Sequence, residues 1–429
     1  MEVLRTLRRN WKKSTFGFAA LVYGTNYAVK SYEISELMKK SCLEAASVGN
    51  QLLREDQNPQ KITVIVNPAA SNRKAVKLFE KYCEPLLHLA GFTVTIRQTQ
   101  SEVHARNIYG SLNKDQDALV VAGGDGTLAD VITAFMRENR HTNAEEGCPI
   151  GIVPLGKLNR FAESFLFRGA EQLRDKAKII EATMLIIRGK TKLVDVIEID
   201  LVNKNSEQPE QSVYALGTIE MGIWKDVFSR ADKYWYFGAL RRYATYLFSS
   251  YKSDIKWQHD GIIRYSDPCK GCSKCYKEDQ IQQQTTNKRW YHRLYSVSDN
   301  KPNVNAVDLS RVENDKCGIM REHPYETTEL RISTQNVYEA TDIKKPSLIV
   351  ELGRQSLSYS EYLAEGWRRL RNGPPEWHEV LLVRNIELTP SGADDENQAK
   401  SDIYIDGEKF ELKPLKMKLL KEKVKVFSQ

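Results

Sequence analysis

The stretch Val120-Val121-Ala122-Gly123-Gly124-Asp125-Gly126-Thr127 decides the fold of this chain. An apolar, β-branched run ends here in three glycines around one acid, and a helical pattern begins directly afterwards. Glycines allow a phosphate to approach the backbone closely, and a helix N-terminus offers it free N–H groups. Asp125 can hold Mg²⁺ or accept the proton of a hydroxyl group. The alternative interpretation is an ordinary glycine-rich turn with a solvated aspartate.

Short apolar runs on both sides of this stretch alternate with amphipathic ones, which predicts a β-α-β-α-β order. Such an order is typical of a parallel α/β sheet, which binds ligands beyond the carboxyl ends of its strands. The predicted strands are 62–66, 92–96, 118–121 and 150–153, with one predicted helix near 101–112. Past residue 190 the runs at 193–199, 329–333, 348–352, 380–388 and 403–405 favour strands.

We therefore predict three parts: an N-terminal segment (1–58), an α/β domain with a parallel sheet (59–190) and a β-rich, sandwich-like domain (191–429). A polar, cysteine-containing tract at about 254–325 is predicted to be an insertion in the third part.

The composition is that of a globular protein: 41% of the 429 residues are hydrophobic and 28% are charged. Collagen-like, purely coiled-coil and wholly disordered chains are therefore excluded. Lysine and arginine exceed aspartate and glutamate by 63 to 56, and the basic residues concentrate near both ends. Because the middle lacks a sustained basic stripe, we predict contact with a membrane surface and not with nucleic acid.

The segment from Ser14 to Val29 contains no charged residue and follows a basic cluster. Its sixteen residues are fewer than the ~20 that a membrane-spanning helix needs. The pattern favours mitochondrial targeting or a shallow membrane anchor. An amphipathic helix packed on the folded domain is the alternative.

A second glycine stretch, Gly151 to Leu158, has the spacing G-x-x-x-x-G-K of a phosphate-binding loop. Leu158 stands where that loop needs a hydroxyl group for Mg²⁺, and the first glycine lies inside a predicted strand, so this loop type is excluded. Gly156 and Asn159 remain candidates for lining a nucleotide cleft.

Four cysteines fall within one polar stretch. Three of them have a spacing suited to zinc, and the fourth, later in the chain, is one candidate for completing the site. Incidental thiols and a disulfide are the alternatives. These cysteines are Cys269, Cys272, Cys275 and Cys317.

The short amino-terminal segment that leads to Gly49-Asn50-Gln51-Leu52, with the runs at 78–81, 87–89 and 233–238, resembles the mitochondrial acylglycerol kinases in particular. Three motifs together resemble, in order and spacing, the wider catalytic domain shared by diacylglycerol, sphingosine and ceramide kinases. They are Asn67-Pro68, the glycine stretch around Asp125, and Pro154-Leu155-Gly156 with Asn159. The resemblance implies an enzyme that uses ATP and Mg²⁺ to phosphorylate the free hydroxyl group of monoacylglycerol and diacylglycerol. The products would be lysophosphatidic and phosphatidic acid, and the nucleotide would lie between the two domains.

The resemblance also implies the roles of individual residues. Asp125 would be the catalytic acid or Mg²⁺ ligand, Asp406 a further Mg²⁺ ligand and Asp195 the group that holds the lipid headgroup. On sequence alone, Asp406-Gly407 is equally a hairpin turn. The implied nucleotide-binding residues are Asn67, Ser71, Gly123, Gly124, Gly126, Thr127, Gly156, Asn159, Arg241 and Glu408. Ser71 stands in a loop that lacks the glycine usual for the family.

The same resemblance implies a location on the mitochondrial inner membrane, facing the intermembrane space. It permits a function of another class, a scaffold in protein import that associates with the inner-membrane carrier translocase. A third interpretation, a relative of NAD kinases or phosphofructokinases, shares the glycine–aspartate turn but does not explain the basic amino terminus.

Overall fold

The computed structural model describes residues 11–50, 59–99, 110, 116–139, 147–157, 159–170, 172–201, 212–249, 257–269, 271–274, 312–337, 346–371, 373–391 and 401–428. The helices are α1 (Trp11–Gly49), α2 (Ala75–Tyr82), α3 (Glu84–Leu89), α4 (Asp125–Asn139), α5 (Arg160–Phe165), α6 (Asp175–Arg188), α7 (Ile223–Ser229), α8 (Arg241–Ser249) and α9 (Tyr359–Leu370), with a 3-10 segment at Ala231–Leu240. The strands are β1 (Lys61–Val66), β2 (Thr93–Gln98), β3 (Ala118–Gly123), β4 (Ile150–Pro154), β5 (Thr191–Leu201), β6 (Val213–Ala215), β7 (Thr218–Gly222), β8 (His259–Ser266), β9 (Met320–Thr327), β10 (Glu329–Ser333), β11 (Leu348–Leu352), β12 (Glu379–Val383), β13 (Asn385–Pro390), β14 (Asp402–Ile405), β15 (Glu408–Glu411) and β16 (Leu415–Phe427).

The first four strands form the predicted parallel sheet, in the order β2-β1-β3-β4. All six residues of β3 are buried, as expected for a strand covered on both faces. Strand order reverses between β1 and β3, and such a reversal opens a crevice beyond the carboxyl ends of the two strands. Asn67 follows β1 and the glycine stretch follows β3, so this crevice receives both motifs.

The last strand of the chain returns to the parallel sheet. β16 pairs in parallel with β4 at Val426 and Ile150, and antiparallel with β5 and β13. The large sheet therefore continues from its parallel part into the antiparallel strands β16, β13, β8 and β9. In the sequence, the parallel strands come before about residue 190 and the antiparallel strands come after it. In the structure, both groups of strands belong to one hydrogen-bonded sheet.

A second sheet has the order β12-β11-β10-β7-β14-β15, with antiparallel pairing throughout. Apolar side chains from both sheets share one core, which is the arrangement of a sandwich. The core includes Ile197 and Met417 from the large sheet and Ile219, Val350 and Ile403 from the second one. The expected α/β domain followed by a β-rich, sandwich-like region is confirmed.

Helix α1 has two different halves. Its C-terminal half packs on the α/β core through Ala45, Ile34, Met38 and other apolar residues. Its N-terminal half leaves large apolar side chains exposed, among them Trp11, Phe16, Phe18, Leu21, Tyr23 and Tyr27. Among the helices in the described part of the chain, none is both long and apolar enough to span a membrane.

Two sequence predictions need correction. The apolar run 380–388 is two strands in different sheets: β12 ends at Val383 and β13 begins at Asn385. At Arg384 the chain crosses from one sheet of the sandwich to the other. The apolar run does not indicate this change of sheet, because the strands before and after it have similar patterns of buried side chains. The tract 254–325 contains β8 and β9 at its ends, so only its middle is an insertion. The predicted helix near 101–112 lies outside the described residues except for Gly110.

Candidate functional site

A cavity of about 290 Å³ opens at the carboxyl ends of β1 and β3, under the hairpin of β14 and β15. It brings together residues from both ends of the chain, because β16 draws the C-terminal region against the α/β sheet. Its lining includes three carboxylates that the sequence singled out and one that it did not. The lining residues are Asn67, Ala69, Ala70, Thr99, Gly124, Asp125, Gly126, Thr127, Asp130, Gly156, Lys157, Asp406, Gly407 and Glu408.

Asp125 is the first residue of α4 and is 8% exposed. Its carboxylate accepts hydrogen bonds from the backbone N–H groups of Arg160 at 2.9 Å and Phe161 at 3.4 Å. Burial raises the pKa of Asp125 to about 7, and the nearby Asp406 carboxylate adds to the increase, while both N–H groups oppose it. A carboxyl group with a pKa near 7 suits proton transfer at neutral pH.

The hairpin between β14 and β15 turns at Asp406 and Gly407, which have φ angles of 47° and 88°. The hairpin interpretation of Asp406-Gly407 is therefore correct, and the turn itself places Asp406 in the cavity. The Asp406 carboxylate accepts three hydrogen bonds of 2.9 Å, from the N–H groups of Leu216, Gly217 and Thr218. Burial raises the pKa of Asp406 to about 6 against these three bonds.

The turn after β1 is joined to the glycine stretch by a side-chain hydrogen bond. Asn67 donates from Nδ2 to Thr127 Oγ1 at 2.9 Å and accepts from the Ala69 N–H at 3.0 Å. A Cβ atom at Gly123 would lie 2.8 Å from Thr127 Oγ1, so glycine is required for this approach. Asn67 and Thr127 thus set the separation of the two loops that flank the cavity.

Gly126 touches the Glu408 side chain, and a Cβ atom there would overlap Oε1 of that carboxylate. We expect Gly126→Ala to push Glu408 out of the cavity and to reduce kcat more than tenfold. The melting temperature should change little, because the overlap is with the end of a flexible side chain. Steady-state kinetics and calorimetry measure both. Gly24→Ala, which changes a glycine of α1 that has open space around it, is the control. Equal kcat in the wild type and Gly126→Ala would contradict a role for Glu408.

Gly156 and Asn159 lie in one small loop after β4. Asn159 Oδ1 accepts from the Gly156 N–H at 2.9 Å, and Asn159 Nδ2 donates to the Gly156 carbonyl at 3.1 Å. The amide of Asn159 therefore shapes the loop, whereas Gly156 and Lys157 line the cavity. Lys157 also pairs with Asp232 at 3.6 Å.

Ser71 lies in a left-handed turn and is not among the residues that line the cavity. Ser71, Asn72 and Arg73 have φ angles of 52°, 55° and 64°, a region that residues other than glycine seldom adopt. The missing family glycine is thus replaced by three residues in the conformation that glycine favours. The adjacent Ala69 and Ala70 face the cavity in place of Ser71.

Arg241 and Asp195 lie away from the cavity lining. Arg241 pairs with Asp232 at 3.7 Å, and Asp232 also pairs with Lys157, so Arg241 is close to the rim. Asp195 is buried, and its carboxylate accepts from the Glu422 N–H at 2.8 Å in a bulge of β16. Asn336 hydrogen-bonds the backbone of Asp195.

A cluster of charges that the sequence did not reveal lies behind Asp125. Glu220 contacts the ammonium of Lys225 and accepts from Arg160 Nη1 at 2.5 Å. Burial alone would raise the pKa of Glu220, but Lys225 and Arg160 lower it to about 2. Burial lowers the pKa of Lys225, and the charges of Glu220 and Asp125 oppose this effect. Arg160 thus connects the cluster to Asp125, since its backbone N–H donates to that carboxylate.

Three of the four predicted zinc-binding cysteines converge. The Sγ atoms of Cys269, Cys272 and Cys317 all lie within 4.8 Å of one another. No disulfide joins the cysteines that the structure describes. Cys275 lies outside the described residues.

The cavity has the donor set that a nucleotide with Mg²⁺ requires. Carboxylate oxygens of Asp125, Asp406 and Glu408 are the hard ligands that Mg²⁺ prefers. The N-terminus of the fifteen-residue helix α4 and the Lys157 ammonium offer positive charge to phosphate groups. These three carboxylates and that of Asp130 share one small cavity and repel one another, and a divalent cation would relieve this repulsion.

Two family profiles match the chain. The diacylglycerol kinase catalytic domain matches residues 61–199, and the acylglycerol kinase C-terminal region matches residues 216–429. The mitochondrial acylglycerol kinase of Homo sapiens is 30% identical over 430 residues, which cover 99% of this chain and 95% of the human protein. The corresponding protein of Xenopus laevis is also 30% identical, with 99% and 94% covered.

More distant similarities are limited to part of the chain or to the fold. Sphingosine kinase 1 of Arabidopsis thaliana is 28% identical over 184 residues, 43% of this chain and 36% of that protein. The structure of a putative diacylglycerol kinase from Bacillus anthracis str. Sterne superposes with a TM-score of 0.50 at 14% identity. The superposition covers 87% of this chain and 99% of the bacterial one, which shows a common fold.

Proposed function

Because the chain belongs to the acylglycerol kinase family and is a lipid kinase, we propose that it transfers the γ-phosphoryl group of ATP to the free hydroxyl group of monoacylglycerol and diacylglycerol. The products are lysophosphatidic acid and phosphatidic acid. The observation that carries this proposal is the buried Asp125 at the start of α4, in one cavity with Asp406 and Glu408.

Asp125 accepts the proton of the acceptor hydroxyl group as the phosphoryl group is transferred. Arg160 and Phe161 fix its carboxylate through their backbone N–H groups. The N–H groups at the start of α4 and the Lys157 ammonium bind the phosphates, because transfer depends on positioning and charge neutralisation. Asp406, Glu408 and Asp125 would hold Mg²⁺, which neutralises charge on the transferred group.

Transfer of labelled γ-phosphate from ATP to the two lipids in mixed micelles tests this activity. We expect labelled lysophosphatidic and phosphatidic acid in the presence of Mg²⁺ and none after chelation with EDTA. Sphingosine and ceramide in the same micelles serve as comparison acceptors. Preferential labelling of either one, or no labelled lipid from folded protein, would contradict the proposal.

We propose that an exposed aromatic patch, formed by Trp235, Tyr236, Phe237, Leu240 and Phe248, docks the enzyme on the membrane that contains its substrate. Trp235 is 73% exposed, and four basic residues lie next to the patch in the chain: Arg230, Lys233, Arg241 and Arg242. Aromatic side chains prefer the membrane interface, and basic ones attract anionic lipid. Asp232 pairs with both Arg241 and Lys157, so the patch adjoins the rim of the cavity.

We expect the double variant Trp235→Ser, Phe237→Ser to bind vesicles of phosphatidylcholine and cardiolipin at least about tenfold more weakly, a loss of ~1.4 kcal/mol or more. Co-sedimentation measures binding. Activity on a short-chain, water-soluble diacylglycerol should stay unchanged, because the patch is outside the cavity. Trp367→Ser, which removes another exposed tryptophan, is the control. Equal binding by the wild type and the double variant would exclude the patch as the docking surface.

We further propose that the enzyme acts at the mitochondrial inner membrane, facing the intermembrane space. The exposed apolar N-terminal half of α1 supports this location, because such a surface needs a membrane or a protein to cover it. The same surface favours a second function, association with the inner-membrane carrier translocase. An Asp125→Asn variant that still co-purifies with the translocase would separate the two functions, and absence of the wild type from the complex would exclude the second.

A further inference from the structure

Cys269, Cys272 and Cys317 lie where the two ends of the insertion meet. Strands β8 and β9 pair from His259↔Thr327 to Ser266↔Met320. Cys269 therefore comes three residues after the last pair of this ladder, and Cys317 comes three residues before it. Pairing of the two strands holds the two cysteine-bearing segments side by side.

These cysteines form a small core of their own. Cys272 is fully buried and Cys269 is 9% exposed, while Cys317 packs on them partly buried. Among the residues that the structure describes, this cluster contains no other apolar residue, whereas the remaining cores are built from aliphatic and aromatic side chains. Packing alone does not account for the convergence of three thiols, because thiols fill little volume.

The backbone around the thiols is held in a compact form. The Ser273 N–H donates to the Val312 carbonyl at 2.8 Å, which joins the two segments directly. Gly271 has a φ angle of 128°, a conformation that allows the chain to turn between Cys269 and Cys272. Asn314 donates from Nδ2 to Cys269 Sγ at 3.3 Å, as an outer-shell group does to a metal-bound thiolate.

We propose that Cys269, Cys272 and Cys317 bind one Zn²⁺ ion that fastens the ends of the insertion to the edge of the large sheet. Tetrahedral zinc with Zn–S distances of ~2.3 Å separates its sulfur ligands by roughly 3.8 Å. The observed Sγ separations, all within 4.8 Å, need only a small contraction. Binding releases the three thiol protons and leaves one coordination position for a further ligand.

The charges near the site suit the resulting complex. Three thiolates and Zn²⁺ carry a net charge of −1. Lys316 directly precedes Cys317 in the chain, and Lys274 comes two residues after Cys272. A disulfide would join two of the thiols and leave the third, whereas a metal accounts for all three. The site shares no residue with the cavity around Asp125, so it is a structural element apart from phosphoryl transfer.

Metal analysis of the full-length protein, purified with a reductant and without chelators, tests the proposal. We expect about one zinc per chain, and less than a tenth of that in Cys317→Ser. The Cys42→Ser variant, which alters a partly exposed cysteine on α1, should retain its zinc. Circular dichroism and lipid kinase activity report whether Cys317→Ser is folded.

Cobalt replacement in the wild type tests the site even if Cys317→Ser does not fold. Wild-type protein stripped of metal and titrated with Co²⁺ should show thiolate-to-cobalt charge transfer and tetrahedral absorption bands. These bands should be absent from Cys317→Ser and unchanged in Cys42→Ser. Metal-free wild type that takes up no Co²⁺, or a disulfide between any two of the three cysteines found by mass spectrometry, would overturn the proposal.

Discussion

Asp125→Asn is expected to lower kcat for lipid phosphorylation at least about a thousandfold and, at the same time, to stabilise the folded protein. The loss of activity follows because the amide cannot accept the hydroxyl proton, and a positioned base accounts for roughly 10²–10⁴ in rate. The amide also contributes no charge to Mg²⁺ binding. Steady-state transfer of γ-phosphate to diacylglycerol measures this loss.

The gain in stability follows from the raised pKa of Asp125, about 7 in the folded protein against an ordinary value of 3.8. Between these two values the unfolded chain releases a proton that the folded chain keeps. The free energy of unfolding of the wild type therefore falls as pH rises from about 4 to 7, by up to about 4 kcal/mol for this group. Asparagine does not titrate, so the variant avoids this loss.

Urea unfolding in EDTA at several pH values should show the variant to be more stable at pH 8 and equal to the wild type below about pH 4. Asp260→Asn is the matched control, because Asp260 is exposed on β8 and is not among the residues that line the cavity. It should leave both kcat and the pH dependence of stability nearly unchanged. A constant stability difference at every pH would show that burial does not raise the pKa of Asp125.

Lys225→Met is expected to destabilise the protein by about 3 kcal/mol. The largely buried Glu220 carboxylate then loses one of the positive charges that compensate for its burial. Loss of the nearby Lys225 charge should also raise the pKa of Asp125 further. In a profile of kcat against pH, the pH above which kcat becomes constant should therefore be higher for the variant than for the wild type. Denaturant unfolding and a pH profile of kcat measure the two effects.

A double variant separates the charge effect from loss of packing. Glu220→Leu combined with Lys225→Met should recover most of the stability, because removing both partners leaves no uncompensated charge. Arg160, whose side chain is 35% exposed, can then reach water. If the double variant is as unstable as Lys225→Met alone, packing and not charge pairing makes Lys225 important.

The residues near the glycine stretch could be identified from sequence because their signals are local. A β-branched run, three glycines and a helical pattern follow one another within about twenty residues, and each element forms from neighbouring residues. The same locality explains why the strands β1, β2, β3 and β4 were predicted correctly. The role of Asp406 was ambiguous in sequence because an Asp-Gly pair in a hairpin looks the same whether or not its carboxylate faces a cavity.

The hydrogen-bond and ion-pair partners of several polar side chains could not be predicted from the sequence. Asn159 uses its amide on Gly156, and Asp195 uses its carboxylate on the Glu422 N–H, both at contacts that depend on exact loop geometry. Glu220 and Lys225 are five residues apart across a strand end and a helix start, and nothing in their spacing indicates that Arg160 joins them. The contacts of Asp195 and Arg160 arise only when distant segments pack together, and that of Asn159 depends on the final shape of its loop.

The sequence by itself determined the parallel α/β sheet, the acid at its carboxyl edge and the strand-rich nature of the rest, because hydrophobic periodicity and glycine turns act over short distances. Only the tertiary structure decided that Glu408 meets Gly126 and that β16 completes the sheet beside β4. The same is true of the convergence of Cys317 with Cys269 and Cys272. The physical reason is that burial, which sets both the pKa of Asp125 and the pairing of Glu220, is a property of the packed chain and not of any local run of residues.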